Sequence, residues 1–127
     1  MALERGSRQG WSMSEIRIEP VLEAVEVHFE GTRIVHTTRA MRLSEASYPP
    51  RIYVPRDDVD MAHLERTSHQ THCPFKGTAS YYTVHVGDSE VANAAWTYEE
   101  PIPEVAAIRE HLCFDDAKGI QITVVPA

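Results

Sequence analysis

The sequence is poor in several things, and each shortage narrows the field. Only two of its 127 residues are cysteines, Cys73 and Cys113, too few for the disulfide framework on which small secreted domains rely. Free thiols in a reducing cytoplasm are the simpler expectation. No apolar run approaches the ~20 residues of a membrane helix, so a membrane partner is not expected. Met1 to Met13 has no apolar stretch of the kind a secretory leader carries. That opening segment is polar and mixed in charge, Met13 reads as natural a start as Met1, and residues 1–13 are expected to form a disordered tail outside the fold. Basic residues are also scarce. Twelve Lys and Arg stand against 19 Asp and Glu, a net charge of −7, which argues against nucleic acid as a partner because phosphate contact needs a basic face. Missing too are a Gly-rich phosphate loop, a His-Glu-x-x-His helix and a Gly-x-Ser-x-Gly elbow.

What is present belongs to an ordinary folded domain. A hydrophobic share of 43% with 24% charged residues is far from the disordered class, and the length suits one domain over residues 14–127. Ile16–Pro20, Val25–Phe29 and Met41–Glu45 alternate apolar and polar residues, the period of a half-buried strand. Glu30-Gly31 is a turn, and with Thr32–Thr38 it completes a hairpin. Tyr48-Pro49-Pro50 interrupts the pattern before a brief strand at Ile52–Val54, closed by Pro55. Acidic residues at Asp57 to Asp60 open a short helical turn over 57–64. Arg66 to Gly77, crowded with polar and turn-forming residues, reads as a loop. Ala79–Val86 is the strongest strand, with Val91–Tyr98 returning after Gly87-Asp88. Pro101–Leu112 reads as the one C-terminal helix, since Val105, Ile108 and Leu112 share a face. A last strand follows at Ile120–Val125. The fold class is therefore mainly β, an antiparallel sandwich or half-open barrel.

Three constellations bear on chemistry. Between Gly31 and Arg56 stand Arg33, Arg39, Arg42, Arg51 and Arg56 against Glu45 alone. Solvated strand faces explain such a run, and so does a pocket for a small anion, to which arginine's planar fork is suited. His63, His69, His72 and His85 lie near Cys73 without the paired spacing of structural zinc, so exposed histidines beside a small buried thiol are the alternative to a metal site. Cys73 next to His72 and Lys76 is a candidate nucleophile, because an imidazole or ammonium favours the thiolate. Tyr48, Tyr53, Phe75, Tyr81, Tyr82, Trp96 and Tyr98 supply either core or the walls of a small-molecule pocket.

The blocks Thr38–Glu45, Tyr48-Pro49-Pro50, Tyr53-Val54-Pro55, Asp58-Val59-Asp60, Thr71-His72-Cys73-Pro74-Phe75-Lys76-Gly77, Ala79–Tyr82 and Ala95-Trp96-Thr97-Tyr98 with Pro101 stand in an order and spacing that resembles the bacterial and fungal domain-of-unknown-function family 427. The likeness runs from about Ile16 to the final strand. It implies a compact, mainly β, cytoplasmic single domain with no established activity, catalogued under a nucleotidyltransferase-like label. The residues lend that label little support. Such enzymes hold metal with paired carboxylates near a Gly-Ser turn, and here Asp58 and Asp60 sit at a helix start where capping accounts for them.

The first functional expectation is a pocket that binds or processes a small anionic molecule. Arg39, Arg42 and Lys76 would neutralise it, Tyr53, Tyr81, Trp96 and Tyr98 would wall it together with Glu45, and His72, Cys73 and Lys76 would carry any catalysis. The alternatives are a metal-dependent protein using His63, His69, His72, Cys73 or His85, and a noncatalytic interaction module marked by an exposed aromatic patch. Cofactor and oligomeric state are not legible in these residues.

Overall fold

The chain is built from alternating strands, and every strand pairing is antiparallel. The computed structural model describes residues 16–126, and the predicted tail over 1–13 lies outside them. In chain order the strands are β1 (Ile16–Pro20), β2 (Ala24–Phe29), β3 (Thr32–Thr37), β4 (Met41–Glu45), β5 (Tyr48–Pro55), β6 (Leu64–Cys73), β7 (Gly77–Val86), β8 (Ser89–Thr97), β9 (His111–Phe114) and β10 (Gln121–Val125). They form a seven-stranded sheet, β1-β4-β5-β9-β8-β7-β6, and a three-stranded sheet, β10-β2-β3. Neither closes into a barrel. The mainly β, antiparallel, sandwich-like reading of the sequence stands.

The β2–β3 hairpin turns where the sequence places it. Glu30 and Gly31 both have positive φ, 50° and 77°, the geometry that matches the twist of a tight hairpin. The inner faces of the two sheets meet in one core. Val25, Val27 and Phe29 of the small sheet pack with Val54, Tyr82, Val84, Ala95, Leu112 and Phe114 of the large one. Burying one such side chain contributes about 1.5–3 kcal/mol, so this layer supplies much of the driving force for folding.

The large sheet is unusual in burying part of its outer face too. A second cluster joins Leu43, Tyr53, Ala79, Tyr98 and Cys113 to Val105 and Ile108. The last two come from a 3₁₀ segment, Pro103–Ile108, which is interrupted at Val105 (φ −120°, ψ 30°). Here the structure corrects the predicted helix over Pro101–Leu112. Val105 and Ile108 do share a face, since a spacing of three suits a 3₁₀ turn as well as an α-helix. Leu112, however, belongs to β9, which fills the slot between β5 and β8. Glu110, at φ 54°, reverses the chain to make this possible, and its N–H donates to the carbonyl of Tyr98 at 3.1 Å. Tertiary pairing outweighs a weak local helical preference.

Two further corrections concern strands. The predicted loop Arg66–Gly77 is mostly β6, paired to β7 on both sides of a register shift between Arg66 and Gln70. β6 is an edge strand with nearly every residue between Glu65 and Thr71 exposed, so its polar composition masks its conformation. β5 likewise begins at Tyr48 and runs through Pro49-Pro50, where the prolines lie exposed and a register shift against β4 frees them from the ladder. The predicted helical turn over 57–64 appears as two single 3₁₀ turns, Arg56–Asp58 and Met61–His63. Asp60 caps the second by accepting from the Ala62 N–H at 3.3 Å.

Candidate functional site

One row of paired residues crosses the outer face of the large sheet: Tyr53 on β5, Cys113 on β9, Trp96 on β8 and Tyr81 on β7. Residues two apart on a strand share a face, so Arg51 joins Tyr53, Tyr98 joins Trp96, and Leu43 with Glu45 faces the same way from β4. The Pro103–Ile108 segment covers one part of this surface. Over the rest lies a cavity of about 560 Å³ walled by Tyr48, Tyr53, Phe75, Tyr81, Trp96 and Tyr98, with Arg51, Glu45, Cys73 and Lys76 as its principal polar groups. That volume suits a small organic molecule.

The aromatic walls are held by one another. The Trp96 Nε1–H donates to the Tyr53 hydroxyl at 3.5 Å, and the Tyr81 and Trp96 rings are tilted at 41° with centroids 6.0 Å apart. The Tyr81 hydroxyl shares a hydrogen bond with Thr71 Oγ1 at 2.9 Å, and His69 meets its ring edge-on at 4.6 Å. Burial raises the Tyr53 and Tyr98 hydroxyls well above the ordinary phenol range. Both are neutral and able to donate at physiological pH.

At the base sits Lys76, only 9% exposed. Its ammonium donates to Glu45 Oε1 at 2.7 Å and lies 3.9 Å from the Cys73 sulfur. The turn that places it is closed by the Lys76 N–H on the Cys73 carbonyl at 3.1 Å, and the Lys76 carbonyl accepts from the Ile102 N–H at 3.0 Å. Gly77 makes this docking possible. Its φ is +120°, and a Cβ there would stand 3.3 Å from the Glu100 carbonyl oxygen, so only glycine fits without strain. Because Glu45 answers Lys76, the cation left over in the cavity is Arg51. It is exposed and its guanidinium lies 5.3 Å from the Trp96 ring centroid. Among the described residues no ion pair or hydrogen bond of its side chain is seen.

Of the residues singled out in the sequence, Glu45, Tyr53, Cys73, Lys76, Tyr81, Trp96 and Tyr98 meet around this cavity. Arg39, Arg42 and His72 do not. Arg39 reaches Asp58 at 3.2 Å. Arg42, between Met41 and Leu43, points to the opposite face of β4 by alternation. His72 Nδ1 lies 3.3 Å from Thr78 Oγ1 on the exposed edge hairpin. Arg51 is the site residue that the sequence reading passed over as one charge among five, although its spacing from Tyr53 on one strand is the signal that finds it.

The histidines disperse. His63 Nδ1 contacts the His85 carbonyl at 3.0 Å, His69 rests on Tyr81, and among the described residues no three His, Cys, Asp or Glu side chains converge on a point that could hold a metal ion. Asp58 and Asp60 are occupied locally: Asp58 accepts from Thr37 Oγ1 at 2.6 Å and from Arg39, while Asp60 caps its turn. A second hollow of about 410 Å³ lies at Arg56, Arg66, Tyr82, Glu99 and Glu110. Its charges balance, two arginines against two carboxylates: Arg66 bridges both oxygens of Glu99 at 2.7 and 3.0 Å, and Arg56 donates to the Tyr82 hydroxyl at 3.0 Å and lies over its ring. Among the described residues the large exposed apolar side chains, Leu22, Tyr48 and Val124, come from separate strands or turns and make no common row.

Fold and site together define a two-sheet β protein with an aromatic-walled cavity on the outer face of its larger sheet. The chain belongs to the family described as Domain of unknown function (DUF427), whose model carries a nucleotidyltransferase-type name and matches residues 17–125. No curated protein matches the chain. No helix among the described residues is long and apolar enough to cross a membrane.

Proposed function

We propose that the outer-face cavity binds a small molecule with a planar, largely apolar body and one anionic group. The observation that carries this reading is Arg51, a cation without a charged partner among the described residues, stacked on Trp96 at a cavity whose other cation is already answered by Glu45. Two cations against one carboxylate leave the cavity with a single positive charge in a chain whose net charge is −7. A guanidinium fork held over an aromatic ring suits a carboxylate or phosphate group, and the flat walls suit a ring system. Cys73 and Lys76 then place a thiol and an ammonium against the bound molecule, where any chemistry would be done. The two free thiols suit a reducing compartment such as the cytoplasm.

A thermal-shift panel tests this reading: aromatic carboxylates, nucleoside monophosphates, sugar phosphates and the neutral amides of the same aromatic acids, against the wild type and Arg51→Gln. Planar anions are expected to raise Tm of the wild type by several degrees at concentrations ~100-fold above Kd, where binding adds about 2.7 kcal/mol. Arg51→Gln should weaken binding by about 10- to 100-fold, the loss of a charge-assisted contact, with Tm of the free protein nearly unchanged. Equal shifts with the neutral amides, or an undiminished response in Arg51→Gln, would refute the assignment.

A further inference from the structure

The two thiols on the outer face of the large sheet are placed in opposite circumstances. Cys113 is sealed between Tyr53 and Trp96 at 1% exposure, and burial pushes its pKa up to about 12, which leaves it unreactive. Cys73 is half-buried and lines the cavity. Its sulfur lies 3.9 Å from the Lys76 nitrogen. The backbone turn that joins the two residues is closed at 3.1 Å, so thiol and amine are held to the same side. Glu45, 2.7 Å from that nitrogen, is positioned to take a proton from it. A reachable sulfur, an amine beside it and a base on the amine are the parts of an oxidative cross-link.

We infer that Cys73 and Lys76 form a modification site that takes hydrogen peroxide as its reactant and closes to a sulfur–nitrogen bond, a sulfenamide. In the first step the Cys73 sulfur attacks one peroxide oxygen, the O–O bond breaks, and the second oxygen leaves as water with the thiol proton. Sulfur is oxidised by two electrons and peroxide is reduced by two, giving a sulfenic acid. In the second step Lys76 gives one ammonium proton to Glu45 and its lone pair attacks the sulfenic sulfur. The S–N bond forms and the S–O bond breaks. Of the three ammonium hydrogens, one stays on nitrogen, one leaves in the water formed from the sulfenic hydroxyl, and one passes through Glu45 to solvent. Condensation of a sulfenic acid with a neighbouring nitrogen is established chemistry for cysteine, and thiols reverse it.

The cross-link bears on the cavity. Lys76 loses its charge, Glu45 keeps its own, and Arg51 with Glu45 leaves no net charge where one positive charge stood. Peroxide would therefore lower affinity for an anion, a consequence that rests on the function proposed above, whereas the chemistry of the bond does not.

The test is peptide mapping of the full-length protein after treatment with a small excess of hydrogen peroxide, read by mass spectrometry without any ligand. The wild type is expected to lose two hydrogens and retain no added oxygen, to resist trypsin after Lys76, and to recover both on reduction with dithiothreitol. Lys76→Met should instead hold a sulfenic acid at Cys73 that dimedone captures. Two hydrogens lost from Lys76→Met as well would mean that the link forms without the Lys76 amine, as a disulfide would, and would overturn the inference. So would oxygen retained on Cys73 in the wild type with normal cleavage at Lys76. The wild-type map decides the matter even if Lys76→Met folds poorly. Failure here leaves the anion-binding reading untouched, and failure of Arg51→Gln to weaken binding leaves the cross-link untouched.

Discussion

Single side chains divide between those whose charges are answered and those left to act. Asp58 is of the first kind. The Thr37 hydroxyl, donating at 2.6 Å, and the Arg39 guanidinium at 3.2 Å hold its carboxyl below the usual carboxylate range. A carboxyl whose native pKa is lowered contributes stability that is fully present above its unfolded pKa and is lost as pH falls through the native value. Asp58→Ala is therefore expected to destabilise by about 1.5–3 kcal/mol at neutral pH, a hydrogen bond to a charged group. The difference from wild type should shrink below the ordinary Asp value of 3.8, as chemical denaturation across a pH series would show. A cost independent of pH would mean that packing, not charge, is what the carboxylate provides. Arg39 was legible in the sequence as a cation but not as a paired one, because the partner is 19 residues away and only folding brings it near. Arg51 has the reverse history: charge counting blurred it, and strand alternation with Tyr53 isolates it.

Elements were legible where their composition and their burial agree. β2 and β4 carry the alternation of strands, β7 carries the Tyr, Thr and Val residues that favour them, and all three were read as such. β6 was not, because an edge strand exposed along most of its length has no apolar face to display. β9 was not, because four residues in the middle of a sheet are too few for a period, and the preceding Val105 and Ile108 share a helical spacing with Leu112. The turn between β6 and β7 was read as part of a loop, whereas β6 runs up to it as a strand. Its geometry depends on Gly77, so Gly77→Ala is expected to cost about 1–3 kcal/mol: positive φ strains any side chain, and the added Cβ would crowd the Glu100 carbonyl at 3.3 Å. Urea denaturation would read the loss, and the same variant should weaken anion binding by displacing Lys76. A neutral Gly77→Ala would mean that this turn adapts freely and does not fix the base of the cavity.

For the whole molecule, the consequential feature is a seven-stranded sheet that packs one face against a smaller sheet and leaves the other partly covered. The first face is a closed apolar core. The second joins a smaller core to an open cavity, which is where a sandwich has room for function without weakening its centre. Two-sided burial was not legible in the sequence, whose aromatics read equally as core and as walls. Tyr53 is both, buried at 1% and lining the cavity. Membership of an uncharacterised family leaves the cavity itself as the guide to chemistry. Its most direct test is the indole N–H resonance of Trp96, assigned with Trp96→Phe, in isotope-labelled protein titrated with the strongest stabiliser of the thermal-shift panel. Saturable movement of that resonance together with the Tyr81 and Lys76 amides, absent with the neutral amide of the same compound and much reduced in Arg51→Gln, is the result the cavity predicts. A stationary Trp96 signal, with shifts gathered instead around Arg66 and Glu99, would contradict it.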